Sequence, residues 1–207
     1  STSRAAQFAF ALLGASAAQR GPLWWASHHR HHHAHADEPS DAHSARQHGF
    51  AWSHAGWFLA SSSFAVRMDR VRDLARYPEL RWLDRFDVAV PSLLAFALLW
   101  LGMEYFVWGF CVSTVALYHA TFTINSLAHR YGTRRYPTRD DSRNNVWLAL
   151  LTLGEGWHNN HHYFPRAARQ GFYWWEFDPT YYALRALAGL GVIWDLKPVP
   201  ADVRERR

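Results

Sequence analysis

The stretch FDVAVPSLLAFALLWLGMEYFVWGFCVSTVALYHATF, residues 86–122, runs for 37 residues with two acids, Asp87 and Glu104, and no Lys or Arg. A straight helix of that length would measure about 55 Å, nearly twice a hydrocarbon core of about 30 Å. Folded at Gly102-Met103-Glu104 it yields two spans, each near the lower limit for crossing a bilayer. Arginines flank it on both sides: Arg67, Arg70, Arg72, Arg76, Arg81 and Arg85 before, and Arg130, Arg134, Arg135 and Arg139 after. The turn carries no Lys or Arg, so the positive-inside rule places both flanks in the cytoplasm and the turn outside. The alternative is a buried helical hairpin of a soluble protein; the density of Leu, Trp and Phe favours the membrane.

The rest of the composition has to be reconciled with that segment. The chain has 207 residues, 22 Lys plus Arg against 17 Asp plus Glu, and 49% hydrophobic residues, which suits one domain and excludes a charge-driven disordered chain. Mean hydropathy is only −0.28, a low average for a membrane protein, but one that two apolar spans among polar segments would give. Fourteen His and 12 Trp stand out. The single cysteine, Cys111, permits no internal disulfide and no thiolate cage, so any metal is held by nitrogen or oxygen. The basic balance does not point to nucleic acid, because the arginines flank apolar spans and no groove-reading motif is present.

Working outward, residues 5–18 form an apolar stretch too short to span a bilayer, expected as a buried or interfacial helix that Gly21-Pro22 breaks. Residues 50–64 are aromatic and small, helical or interfacial, and 67–85 form a solvated or headgroup-facing segment. Residues 131–145 are expected as polar loop and 146–153 as a short apolar helix. Asp178-Pro179 supplies an N-cap and first-turn proline for a helix over 180–190. The expected fold is all-α: an integral membrane helical hairpin with a cytoplasmic helical cap. One domain, 1–207, would divide into 1–85, the hairpin 86–122, and 123–207.

The cap carries the chemistry. His-x-x-His-His occurs at His29, His32 and His33 and again at His158, His161 and His162. On a helix, positions i, i+3 and i+4 share a face, so three imidazoles converge in the geometry a metal pair needs. At this histidine frequency about 0.06 such patterns are expected by chance, so the second copy, set in ordinary sequence, is the stronger signal. The first tract also permits the frame His28, His31 and His32, and periodicity does not choose between them. Isolated histidines such as His54 and His119 are expected to be hydrogen-bonded helix residues rather than ligands. An all-imidazole site suits zinc, copper, nickel or iron. Zinc hydrolysis with Glu155 as general base is one reading. The location beside an apolar hairpin favours another, oxidation of an unactivated C–H bond by a redox metal and O2.

Gly21-Pro22-Leu23-Trp24-Trp25 before the first cluster, Asp41-Ala42-His43-Ser44, Ser53-His54-Ala55-Gly56-Trp57, Asn125-Ser126-Leu127-Ala128-His129-Arg130-Tyr131-Gly132 and Gly154-Glu155-Gly156-Trp157-His158-Asn159-Asn160-His161-His162 resemble the membrane acyl-CoA desaturases of delta-9 type, most closely bacterial ones. The resemblance covers nearly the whole chain and favours the His29 frame, with Trp25 four residues before it. It implies two irons, one bound by His29, His33 and His161, the other by His32, His129, His158 and His162, with Asn125 acting through water. It also implies that Gln19, Trp25 and Thr121 shape the bend of an acyl tunnel, with Phe122 near the thioester carbonyl where animal members have Trp. His28 stands where the family has an acid.

The implied reaction is O2-dependent introduction of a cis double bond into a fatty acyl-CoA or acyl-carrier thioester, with electrons from a separate ferredoxin-like or cytochrome donor. The implied setting is the bacterial inner membrane, among its lipids, with the histidines on the cytoplasmic side. The family's first His-x-x-x-x-His box is not found before His29, so this chain is expected to be an N-terminally truncated, inactive piece of an active parent. The alternatives are a histidine-box hydroxylase of alkanes, lipids or carotenoids, and a His-rich membrane metal-binding protein without catalysis.

Overall fold

The structure is a computed structural model and describes residues 1–206. In chain order the α-helices are α1 (Arg4–Ala15), α2 (Pro22–His35), α3 (Ala45–His48), α4 (Trp57–Leu59), α5 (Arg72–Ala75), α6 (Pro78–Arg85), α7 (Ala89–Leu101), α8 (Ser113–Ser126), α9 (Val146–Leu151), α10 (His158–Tyr163), α11 (Pro179–Gly189) and α12 (Ala201–Glu205). No strand occurs among the described residues; the extended pairing is limited to isolated bridges such as Thr133 with Asn144. The chain folds as two units, one of Arg4–Ala34 with Phe58–His119, the other of Ser1–Ser3, His35–Trp57 and the residues from Ala120 onward.

In the first unit, Leu23, Val71, Leu80 and Leu83 form the core, with Phe8, Ala11 and Leu12 of α1 packed against them. Three of those four core residues lie in the segment expected to be solvated. Its arginines dominate its composition, but Leu80 and Leu83 are three apart on α6 and share the face that is buried. Gly21 is required here by space: a Cβ on it would lie 2.4 Å from the Asp84 Cα. Asp84 Oδ1 in turn accepts the Trp24 backbone N–H at 2.8 Å, tying down the first turn of α2. Two forked ion pairs, Arg4 to Glu79 (2.6 and 2.8 Å) and Arg30 to Asp73 (2.6 and 2.9 Å), brace α1 and α2 against the α5–α6 region.

The apolar stretch breaks where its sequence breaks. α7 ends at Gly102, whose φ of +148° a side chain would resist and whose N–H reaches back to the Leu98 and Leu99 carbonyls. At thirteen residues α7 is shorter than the roughly 17 that a span requires. Beyond Gly102, Met103–Ser126 is helical for 24 residues, passing through a wide-turned π segment, Tyr105–Val112, and running four residues past the expected end at 122. It is the one helix among the described residues long and apolar enough to cross a membrane, where the sequence led to two. Only 11% of its most apolar window is buried, and Trp108 and Val115 are more than half exposed. A core helix of a soluble protein would be covered; this helix instead associates the chain with a membrane.

In the second unit Ile124, Ala128 and Leu148 form an apolar core, and a larger share of the interior is polar. Asp140, Ser142, Asn144, Asn159, Asn160 and Glu176 are all buried and tie the loop 131–145 to α10. The loop is polar as expected, yet Tyr136 within it is 1% exposed and stacks on Tyr163, with centroids 4.4 Å apart. Asp178 caps α11 through the Tyr181 N–H at 3.0 Å, with Pro179 in the first turn.

Candidate metal centre

α10 divides its five polar residues between two faces. Asn159 and Asn160 point into the polar interior. Asn159 Oδ1 accepts the N–H groups of Arg135 and Tyr136 at 2.8 and 2.7 Å. Asn160 Oδ1 accepts from Asn144 Nδ2 at 2.7 Å, and its own Nδ2 donates to the Gln170 carbonyl and to Glu176 Oε2, each at 3.0 Å. The three histidines of the helix then fall on the remaining arc. The glycines before it clear the approach: a Cβ on Gly156 would lie 2.0 Å from the Ala149 N, and Gly154 adopts φ +120° against Asp178.

His129, in the turn after α8, meets this histidine face. Its Nε2 lies 3.1 Å from His158 Nε2, and the His158 and His162 rings are 4.3 Å apart. One ring nitrogen from each of His129, His158 and His162 falls within 4.8 Å of the others. The far side of two rings is fixed by carboxylates. Asp37 Oδ2 lies 2.9 Å from His129 Nδ1, and Asp140 Oδ2 lies 2.9 Å from His162 Nδ1. Asp37 also accepts the Asp141 backbone N–H at 2.8 Å and the Ser44 hydroxyl at 2.7 Å. Burial pushes the Asp37 carboxyl up, but the bond from His129, its charge and the two further donors outweigh this and hold it at about 2. An ionised carboxylate only accepts, so Nδ1 is the nitrogen of His129 that donates in this pair, and Nε2 is the one that faces His158.

Within α2 a second pair forms. His29 and His33, one turn apart, bring their Nε2 atoms to 3.2 Å, and Trp25 stacks on His29 with centroids 4.7 Å apart. Their neighbour His28 takes a different contact. His28 Nε2 bonds the Ala65 carbonyl at 3.2 Å, and its burial pushes its imidazole below the usual range. His32 is buried on the same helix, with its ring 5.8 Å from that of His33. His161 is half-buried, its ring 6.0 Å from those of His158 and His162. Asn125 is half-buried on α8.

These distances fit a metal. Bonds of about 2.1 Å meeting near a right angle set two nitrogens about 3.0 Å apart, close to both Nε2 pairs here. Neutral imidazoles with Nδ1–H to carboxylate and Nε2 free are the ligand form that transition metals take. The residues present therefore suit nitrogen-ligated iron or a neighbouring first-row metal.

The remaining candidate positions are scattered by environment. Trp25 is 43% exposed and Phe122 only 5%, while Gln19 and Thr121 are half-buried. His54 is a hydrogen-bonded histidine as expected, with Nδ1 3.0 Å from Ser126 Oγ and its ring edge-on to Phe122. Asp37 and Asp140, the two carboxylates that hold the His129 and His162 rings, are not among the sequence candidates. They lie 92 and 22 residues from their histidines, and no local pattern marks them.

An apolar helix exposed over most of its length, together with imidazoles clustered in both units, defines a membrane-associated, histidine-rich protein suited to a transition metal. The comparison with known proteins narrows the class. Residues 1–195 match the Fatty acid desaturase family, and the chain belongs to that family. It is 41% identical over 206 residues to an acyl-CoA 5-desaturase of Anemone leveillei, covering 97% of this chain and 63% of that protein. It is 38% identical over 193 residues to an sn-1 stearoyl-lipid 9-desaturase of Anabaena variabilis, of which it spans 71%. It is also 38% identical to a chloroplastic palmitoyl-monogalactosyldiacylglycerol delta-7 desaturase of Arabidopsis thaliana, of which it spans 55%. The chain is thus shorter than two thirds of several of its relatives. Membership of the desaturase family displaces the zinc-hydrolase reading.

Proposed function

We propose that this protein is the histidine-bearing part of an O2-dependent di-iron desaturase, of delta-9 type, that places a cis double bond in a fatty acyl thioester. The observation that carries the reading is the convergence of one ring nitrogen from each of His129, His158 and His162, in a chain of the desaturase family. The ligand set implied by the motifs is His29, His33 and His161 for one iron, and His32, His129, His158 and His162 for the other, with Asn125 through water.

When bound, such irons supply O2 activation strong enough to break unactivated C–H bonds. The balance is one O2, two electrons and two protons with one –CH2–CH2– unit, giving –CH=CH– and two waters. The electrons come from an external carrier, ferredoxin-like or cytochrome. The chain's own residues bind and orient. Gln19, Trp25, Thr121 and Phe122 are assigned to the walls of the acyl tunnel, where apolar and bulky side chains hold methylenes in place and exclude water. The helix Met103–Ser126, paired with α7 across Gly102, is the membrane element, with the histidines on the cytoplasmic side of a bacterial inner membrane. Relatives named for acyl-CoA and for acyl-lipid substrates leave both classes to be compared directly.

The test is to express the gene in a bacterium fed perdeuterated stearate and to analyse the cell lipids by gas chromatography and mass spectrometry. The expected product is two deuterons lighter, with its double bond at carbon 9, and it is absent with His158→Ala. Hydroxylated chains with no alkene would establish a hydroxylase instead.

A further inference from the structure

We propose that Asp37 and Asp140 are positioning residues that fix His129 and His162 as Nδ1–H tautomers and thereby set the metal affinity of the histidine cluster. The geometry is the same in both pairs. Each carboxylate oxygen sits 2.9 Å from Nδ1, and each imidazole is at most 2% exposed. A free imidazole can carry its proton on either nitrogen, and the group that holds one nitrogen determines which lone pair the other presents.

The two carboxylates are themselves fixed by backbone. Asp140 Oδ1 takes the Ser142 N–H at 2.9 Å, and Asp37 Oδ2 takes the N–H of Asp141, the residue next to Asp140. One short loop thus anchors both pairs. Both oxygens of each carboxylate are bonded and both side chains are largely buried, which separates this arrangement from a surface ion pair of little consequence. The inference rests on the metal-binding part of the proposed function and not on desaturation.

The test uses the full chain in detergent with Co2+ alone as probe, in wild type, Asp140→Ala, Asp140→Asn, Asp140→Glu and, as a neighbour control, Asp141→Asn. Asp141 bonds Asp37 through its backbone, and its side chain lies 3.8 Å from Arg46, so the control leaves the pairs intact. Asp140→Ala is expected to weaken Co2+ binding about 10- to 100-fold and to change the visible Co2+ spectrum. Asp140→Glu should recover part of the affinity, and Asp141→Asn should bind as wild type.

A second readout needs no metal. Nitrogen-15 shifts of His162 should report Nδ1–H in the wild type and a move toward Nε2–H in Asp140→Ala, a change that a purely structural role would not produce. Asp140→Asn preserves the shape and the Ser142 bond, so it keeps the test valid should the alanine variant fold poorly. Wild-type affinity and an unchanged tautomer in both Asp140→Ala and Asp140→Asn overturn the proposal. A wild-type chain that binds no Co2+ overturns both this proposal and the proposed function, whereas Co2+ binding that depends on Asp140 in a protein without desaturase products leaves this proposal standing alone.

Discussion

Replacing Asn160 with alanine separates the scaffold of the histidine helix from its chemistry. Asn160 is fully buried, and truncation at Cβ leaves the Asn144 amide donor and the Gln170 carbonyl without their partners. Glu176 Oε2 also loses a donor but keeps the Tyr173 N–H at 3.1 Å, so it adds less. An unsatisfied buried polar group costs about 1–3 kcal/mol, so two of them amount to about 4 kcal/mol. For a chain of this size each kcal/mol moves the midpoint by about 2–4 °C, so Asn160→Ala should unfold roughly 10 °C below wild type. His161→Ala, one position along on the other face, removes a half-buried ring and should cost less than about 1 kcal/mol. Both variants are compared by near-ultraviolet dichroism against temperature in the same detergent. A loss under about 3 °C for Asn160→Ala, or an equal loss for His161→Ala, would refute the two-faced reading of α10.

Three further outcomes follow from other parts of the fold. Gly21→Ala forces a Cβ onto the Asp84 backbone and should destabilise the first unit by about 3 kcal/mol, read from the denaturant midpoint of tryptophan fluorescence. Val115→Arg, near the middle of the Met103–Ser126 helix and 55% exposed, should add about 2.5–3.5 kcal/mol to insertion and deplete the protein from the membrane fraction; undiminished recovery there would count against a span. The Glu79 carboxyl is held at about 2, against 4.5 for the free group, chiefly by its hydrogen bond from Arg4. A depressed acid contributes stability above its unfolded value, lost as pH falls toward its folded value, so Glu79→Gln should flatten the acid limb between about pH 4.5 and pH 2. An acid limb identical to that of wild type would show that the pair does not form in solution.

What could be read from the sequence was what depends on spacing along one element. Leu, Trp and Phe in an unbroken run with Gly102 inside it announced an apolar helix and its end, and histidines at i, i+3 and i+4 announced a shared face. The errors came where two signals overlapped or where a partner lay far away. The arginines between 67 and 85 mask Val71, Leu80 and Leu83: they dominate the composition, whereas the spacing of Leu80 and Leu83 on α6 marks a face that the core covers. His28 and His29 are indistinguishable by period, and only the folded chain shows that the His28 ring meets the Ala65 carbonyl while the His29 ring meets that of His33. Asn159 and Asn160 stand inside the histidine motif, which assigns them no role, and they supply the bonds that orient the helix. The same holds for the acids. Asp37 follows the first histidine tract and Asp140 lies in an arginine-rich loop, where each passes for an ordinary surface charge. Only tertiary structure sets them 2.9 Å behind imidazoles, and a ligand whose tautomer is left unset is half specified. A histidine motif therefore identifies which rings can face a metal, and the distant carboxylates determine which of them present the lone pair to do so.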